Sequence, residues 1–306
     1  MIYVEMAGRM GNQMCRYACA RMFQKKLNIK DPIVVDFSKY PVDGSSYGTN
    51  YLSKLNCADN IINGKCEFNI FQKLILKGYE SYFRAKGITN NKNEIQKVQD
   101  KVVDFVSLFG LYIYRRGYHK FKIRKHNTMF LSGNFEGHKY FDDIRNELLI
   151  EFMPKSLSSD NQKIYDKIKN GNYIAVCVRK GDFTVGKNAT DLDICTPRYY
   201  YDGVQYIKNK VKEPHKIIIF SADLEWVKNN INLGENVEYM GSDMTPWEQM
   251  KIMSACNHFV ICNSTFFWWA QYLADKPGKI VVAPIYWSSS KKKSDLYMNS
   301  WHLINP

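Results

Sequence analysis

A chain of 306 residues, 45% apolar and 24% charged, has the length for two ordinary domains and the composition of a globular protein rather than a disordered or fibrous one. Lys and Arg number 43 against 30 Asp and Glu, and the resulting +13 favours anionic partners: phosphates, nucleic acid or an acidic membrane face. No apolar run approaches the span of a bilayer and residues 1–6 are too short and too early for a signal peptide, so the expected location is the cytoplasm, free or held to a membrane face by charge.

The cysteines at 15, 19, 57, 66, 177, 195, 256 and 262 form no CxxC pair and no Cys/His zinc spacing. They read as buried free thiols in a reducing compartment. The 21 Tyr, 17 Phe and 6 Trp suit stacking on sugars, although most belong in a core.

Residues 2–6 read as a strand, followed by the turn Ala7-Gly8-Arg9-Met10-Gly11-Asn12-Gln13 and a helical pattern carrying Met14, Tyr17, Ala18, Met22 and Phe23. Strand, glycine turn and helix in that order aim backbone N–H groups at an anion. The spacing is neither GxGxxG nor a P-loop, so an ordinary β–α turn fits the piece equally well. Residues 33–36 read as a second strand. Residues 39–128 show poor patterning and are expected to be helices and loops inserted in the first domain, a natural place for acceptor contacts. Residues 129–132 read as a strand and 142–152 as an amphipathic helix. The Ser- and Pro-rich stretch 154–160 is the best linker candidate, which sets the expected domains at 1–153 and 154–306.

The second half alternates regularly. Strands are expected at 173–178, 217–220, 237–240, 259–262 and 280–283. Helices are expected at 162–170, 197–211, 224–230, from 246 through 255, and after 265. Gly171 reads as a helix stop, Thr196 as a cap before Pro197, and Thr245-Pro246-Trp247-Glu248 as a capping box. Such alternation implies a doubly wound parallel sheet.

The stretch on which the chemistry centres runs from Tyr173 to Phe183. A buried apolar strand stops abruptly at Arg179-Lys180-Gly181-Asp182, where ligands of open α/β sheets bind. Two cations there can neutralise a diphosphate, Gly181 admits close approach or φ > 0, and Asp182 can hold Arg179 or accept from a sugar hydroxyl. On these residues alone a strand ending at a basic surface turn is the plainer reading. Asn263-Ser264-Thr265 lies at another strand end and helix start, where hydroxyls and N–H groups can take a phosphate or simply cap the helix. Trp268 and Trp269 read as packing residues of a core or a domain interface. Asp191-Leu192-Asp193 has the form of a DxD metal site but does not directly follow an apolar strand, and a metal role is not expected of it.

As an ordered set these stretches resemble the α-1,2-fucosyltransferase family in its bacterial form. Gly8-Arg9-Met10-Gly11-Asn12-Gln13 resembles the family's GGxGNQ opening. Gly133-Asn134-Phe135 with Lys139-Tyr140-Phe141 is similar to GYFQxxKYF. The run from Phe220 through Ser221, Asp223 and Trp226 resembles FSDDxxW. Met253 through His258, leading into Asn263-Ser264-Thr265-Phe266-Phe267-Trp268-Trp269-Ala270, resembles MSxCxH…NSTFSWWA, and Ala283-Pro284 with Trp287 resembles APxxW. The order holds from end to end, leaving only the middle of the first half unmatched.

The resemblance implies a GT-B-like α/β fold of two Rossmann-like domains facing across a cleft. It implies transfer of L-fucose from GDP-β-L-fucose to the 2-hydroxyl of a galactose on an oligosaccharide, with inversion, no metal and no other cofactor. Arg179 falls on the first arginine of the family's HxRRGD motif and Asp182 on its aspartate, and these two are the expected catalytic residues. Gly11, Asn12, Arg179, Lys180, Ser221, Asp223, Glu248, Asn263, Ser264 and Thr265 are the expected donor-binding residues. The motif's histidine is Cys177 here, its second arginine is Lys180, and Ala222 replaces an acidic residue. Gln249 stands where an acidic residue is usual, with Glu248 beside it as a substitute for guanine recognition. The expected partners are therefore a nucleotide sugar and a galactose-containing glycan, with contact to an anionic membrane face and without nucleic acid. A same-fold transferase using another nucleotide sugar remains open, as does a non-catalytic basic protein binding nucleic acid or acidic glycans. No nucleic-acid-binding motif supports the last.

Overall fold

A computed structural model describes residues 1–39, 48–86, 92–184, 186–241, 243–291 and 294–306, without the side chains of residues 92–94, 182, 187 and 188. The chain divides into two compact units, Met1–Phe152 and Met153–Pro306. Each is built on a sheet whose strand pairs are all parallel. The parallel sheet of the second unit was expected from the alternation of the sequence, and the two-unit, Rossmann-like α/β class is the one the family resemblance implies.

In the first unit β1 (Ile2–Glu5) leads to α1 (Met10–Lys26), then β2 (Ile33–Asp36), β3 (Ile61–Asn63), α2 (Ile70–Ala85), α3 (Lys92–Ser107), β4 (Leu111–Tyr114), β5 (Met129–Gly133) and α4 (Arg145–Glu151). The strand order is β3-β2-β1-β5-β4. Two of these strands lie in the segment expected to hold only helices and loops. Strand β3 is three residues long, sits at an edge and leaves two of them exposed, so it carries no apolar run to read. Strand β4 is fully buried, but its residues continue the apolar end of α3, and only the turn at Gly110, with φ +77°, separates the two. The expected amphipathic helix at 142–152 begins instead as a 3-10 turn, Asp142–Ile144.

In the second unit the order is α5 (Ser159–Lys169), β6 (Tyr173–Val178), α6 (Lys187–Asp191), α7 (Pro197–Lys210), β7 (Lys216–Ser221), α8 (Leu224–Asn230), β8 (Val237–Met240), α9 (Pro246–Met253), β9 (His258–Ile261), α10 (Thr265–Leu273), β10 (Val281–Pro284) and β11 (His302–Ile304). The strand order is β11-β10-β9-β6-β7-β8. Counted from β6 this is the doubly wound order 3-2-1-4-5-6, with winding reversed between β6 and β9. Strands β6, β9 and β10 are wholly buried, as central parallel strands must be when helices cover both faces. Strand β11 was not expected, and helix α6 falls within a stretch expected to be a polar loop. Thr196 caps α7 as expected, its hydroxyl accepting from the Tyr199 N–H at 3.3 Å. Trp268 and Trp269 are fully buried in this unit, and the Trp268 indole donates to the Leu296 carbonyl at 2.7 Å.

Helix α7 lies close on the sheet because Gly203 has no side chain. A Cβ there would stand 2.7 Å from a Val260 methyl carbon. Gly203→Ala is expected to cost about 1–3 kcal/mol of stability through overpacking. A urea midpoint equal to the parent's would show that α7 has room to shift.

Candidate functional site

The reversal of winding leaves a crevice at the carboxyl ends of β6 and β9, where open α/β sheets hold their ligands. The register pairs Cys177 with Ile261, so two residues further on Arg179 comes level with Asn263. The Arg179 backbone N–H and guanidinium both act on the Cys262 thiol, though burial dominates and pushes that thiol up to about 12. The two stretches singled out in the sequence, 179–181 and 263–265, are therefore side by side.

The side chains at this edge take different directions. Arg179 is half-buried, its guanidinium 5.3 Å from the centre of the Phe183 ring. Gly181 takes φ +69°, and a Cβ there would meet nothing within 4 Å. The backbone is thus open to close approach at that point. Ser264 is the N-cap residue of α10, and its hydroxyl caps no backbone group. The first-turn N–H groups of a helix have no partner within the helix, so the start of α10 presents donors and the positive end of a dipole. Half-buried Thr265 opens that turn. The side chain of Asp182, an expected catalytic residue, lies outside the described ones; its backbone belongs to the 3-10 turn Gly181–Thr184.

Lys180 is not directed to the same place as Arg179. It is buried, its Nζ donates to Asp193 Oδ1 at 2.6 Å, and it lies 4.0 Å from the centre of the Trp226 ring. Asp223 caps α8 by accepting from the Trp226 N–H at 3.0 Å, which fixes the ring under Lys180. Ser221, at the end of β7, accepts from the Asp223 N–H at 3.1 Å and so shapes the same turn. Ser221, Asp223 and Lys180 thus form one chain of contacts that holds the segment before α7 against the sheet.

Asn263 pins that segment from the other side. Its amide donates to the carbonyls of Leu192 and Trp287, each at 3.0 Å, and the residue is buried. Asp191 accepts from the Ser289 hydroxyl at 3.1 Å. The carboxylates of the DxD-like sequence are accordingly engaged with protein groups, Asp193 with Lys180 and Asp191 with Ser289. Asp193 and Trp226 were not singled out as partners of Lys180 in the sequence, although both lie in stretches that drew attention.

Glu248 accepts from the Ser158 N–H at 2.8 Å and from the Thr245 hydroxyl at 2.6 Å. These bonds, Thr245's first, lower its pKa to about 2. The expected capping box is thus altered: the Thr245 hydroxyl donates to the carboxylate instead of accepting from the helix. Gln249 donates to the Gly241 carbonyl at 2.9 Å. Glu248 fastens the start of the second unit to α9, and both of its oxygens have partners.

In the first unit, Gly11 and Asn12 lie in the opening turn of α1, at the carboxyl end of β1, where that sheet reverses its winding between β1 and β5. Gly8 takes φ +77°, and a Cβ there would stand 2.6 Å from the Asn12 amide nitrogen. The glycine therefore admits the folded-back Asn12 side chain. Gln13 is buried and donates to the carbonyls of Gly8 at 2.9 Å and Thr49 at 2.8 Å. Asp36, at the end of β2, accepts from the Cys66 and Ser38 N–H groups. Burial alone would raise its pKa, but these bonds and Lys39 outweigh burial and lower it.

The fold defines a doubly wound α/β protein whose second switch point brings together Arg179, the open backbone at Gly181 and the start of α10. The chain belongs to glycosyl transferase family 11, whose model matches residues 1–305. The resemblance carried by the ordered motifs is thereby borne out. An O-antigen biosynthesis glycosyltransferase, WbnK, of Escherichia coli is 27% identical over 98% of this chain and 99% of its own. An alpha-1,2-colitosyltransferase of Escherichia coli is 24% identical over 94% and 92% respectively. The human galactoside alpha-(1,2)-fucosyltransferase 1 is 24% identical over 44% of this chain and 40% of its own.

Two measurements check the assigned contacts. Lys180→Ala removes a charged hydrogen bond from Asp193 and is expected to cost about 1.5–3 kcal/mol. Faster amide exchange across residues 186–195 should accompany it, and unchanged exchange would deny Lys180 its anchoring role. Glu248→Ala is expected to cost about 1–3 kcal/mol at neutral pH, since the Ser158 N–H loses its acceptor. The folded pKa of Glu248, about 2, lies below its ordinary value of 4.5. Its stabilisation is therefore complete above that ordinary value and fades as pH falls toward 2. The stability gap between parent and variant should narrow over that window, and a gap constant with pH would contradict the assignment.

Proposed function

We propose that the protein is an inverting transferase that moves L-fucose from GDP-β-L-fucose to the 2-hydroxyl of a galactose residue on an oligosaccharide of the surface-polysaccharide or O-antigen type. The observation that carries this reading is the juxtaposition of Arg179 and Gly181 with the start of α10 at the switch point of a glycosyl transferase family 11 protein. A diphosphate needs a cation, open backbone and helix N–H groups, and that edge offers all three. The names of the galactoside alpha-(1,2)-fucosyltransferase and of the O-antigen transferase support the linkage and the acceptor class.

In the proposed reaction the acceptor oxygen bonds to the anomeric carbon as the bond from that carbon to the β-phosphate oxygen breaks. GDP leaves with the electron pair, and the acceptor hydroxyl gives up its proton to solvent water. Negative charge gathers on the leaving phosphate, where Arg179 and the α10 amides stabilise it without a metal. Lys180 and Asn263 act through position, holding the neighbouring segment so that Arg179 keeps its place. Asp36 is a poor candidate for the base, because its lowered pKa reflects hydrogen bonds that already occupy the carboxylate.

A second reading, the same reaction with a different nucleotide sugar, draws on the relative named an alpha-1,2-colitosyltransferase and on the departures at Cys177, Lys180 and Gln249. Product masses from a panel of GDP-, UDP- and CMP-sugars with lactose discriminate between the two.

Arg179→Ala is expected to lower kcat/KM with GDP-fucose and lactose by roughly 10²–10³ while the fold is kept. A folded variant with undiminished transfer would refute the role of Arg179. Activity should survive EDTA. Its collapse would return Asp191 and Asp193 to a metal-binding role.

A further inference from the structure

Helices α2 and α3 form an antiparallel pair over one face of the first sheet. Their inner sides join a core with Phe130 and Leu111 through Tyr79, Phe83, Val98 and Val106. Their outer sides are not uniformly polar. Ile70, Phe71, Leu74, Phe105 and Leu108 are exposed by 48 to 68%. Surface aliphatic and aromatic residues scattered singly need no explanation, but these five gather at one end of the pair.

The hydrogen bonds locate that end. The Gln72 amide donates to the Phe109 carbonyl at 2.9 Å and to the Thr128 carbonyl at 3.1 Å. The opening turn of α2 therefore sits beside the close of α3 and the residues that enter β4 and β5. Phe105 meets Phe109 edge-on, with ring centres 5.5 Å apart. At the opposite end of α2, Phe83 lies 5.6 Å from the Arg115 guanidinium, past the close of β4. The apolar group is thus at the amino edge of the sheet, away from the carboxyl edge that carries Asn12 and Asp36.

Cations border the group. Lys73 and Lys77 on α2 and Lys101 on α3 are exposed, the last one turn before Phe105. Exposed Arg124 and Lys125 precede His126, whose side chain approaches Gly110 at the entry to β4. The nearby acids are Glu67 and Asp104. Asp104 contacts His119 at 3.2 Å and Lys122 at 4.0 Å, which offsets its charge.

We propose that this amino-edge face of the α2–α3 pair docks the protein on an anionic bilayer. Apolar side chains enter the boundary of the acyl region, while the bordering lysines and arginines meet acidic headgroups. The alternative occupant, a second copy of the chain, is disfavoured by charge and size. A two-fold contact would set Lys73 and Lys77 against their own copies, where like charges repel. Five partly exposed side chains also fall short of the roughly 800 Å² per partner that a stable dimer buries. An excess of +13 over the whole chain favours an acidic surface over self-association.

The test is co-sedimentation of the full chain with vesicles of phosphatidylcholine alone and of phosphatidylcholine with about a third phosphatidylglycerol, over a range of salt. Binding is expected only to the anionic vesicles, weakening as salt rises. Phe71→Glu with Leu74→Glu, and separately Lys73→Glu with Lys77→Glu, are each expected to reduce it roughly tenfold or more. Transfer to a water-soluble acceptor should be unchanged in both variants, since the face is remote from the carboxyl edge. Vesicle binding that ignores the lipid charge, or that survives both pairs of substitutions, would overturn the proposal. So would a dimer, seen by analytical ultracentrifugation, that Phe71→Glu with Leu74→Glu dissociates. Vesicle binding is read without catalysis, so the result stands apart from the donor and acceptor assignment.

Discussion

Strands β6 and β9 are neighbours whose crossovers leave in opposite directions, and the gap at their carboxyl ends is the constraint on which the second unit depends. Buried parallel strands fix its walls. Arg179 and Ser264 occupy it because each is among the first residues past an apolar run, where side chains and helix N–H groups no longer pack into a core. The chemistry at the gap follows from what the neighbouring polar groups leave available.

Most of those groups are spent on structure. Lys180 is consumed by Asp193 and Trp226, Asn263 by two carbonyls, and Glu248 by Ser158 and Thr245. Buried polar groups must find partners, and around a switch point the available partners are the loops that need holding. The same economy governs the first unit, where Gln13 ties α1 to the backbone at Gly8 and Thr49. A site built this way divides the work. In the proposed site one guanidinium and a helix start would receive the diphosphate, and the hydrogen-bonded side chains around them would keep them in register.

Much of the fold was legible because its central strands are continuous apolar runs closed by polar residues. Strands β6, β7, β9 and β10 and the capped start of α7 follow from that pattern and from Thr196-Pro197. Strand β3 escaped because it is short, exposed and at an edge, and β4 because it continues the apolar end of α3. The place of Arg179 was readable from the strand that ends before it. The fate of Lys180, Glu248 and Asn263 was not, since their partners lie 13, 90 and 71 residues away and only tertiary folding brings them together. Spacing cannot tell a cation aimed at a ligand from one aimed at a buried carboxylate.

The measurement that bears most directly on the switch-point claim is a crystal structure of the full chain grown with GDP. Diphosphate oxygens should lie within hydrogen-bond distance of the Arg179 guanidinium and the first-turn amides of α10, with Lys180 still on Asp193. A diphosphate held elsewhere, or gripped by a Lys180 released from Asp193 while Arg179 points away, would contradict the account.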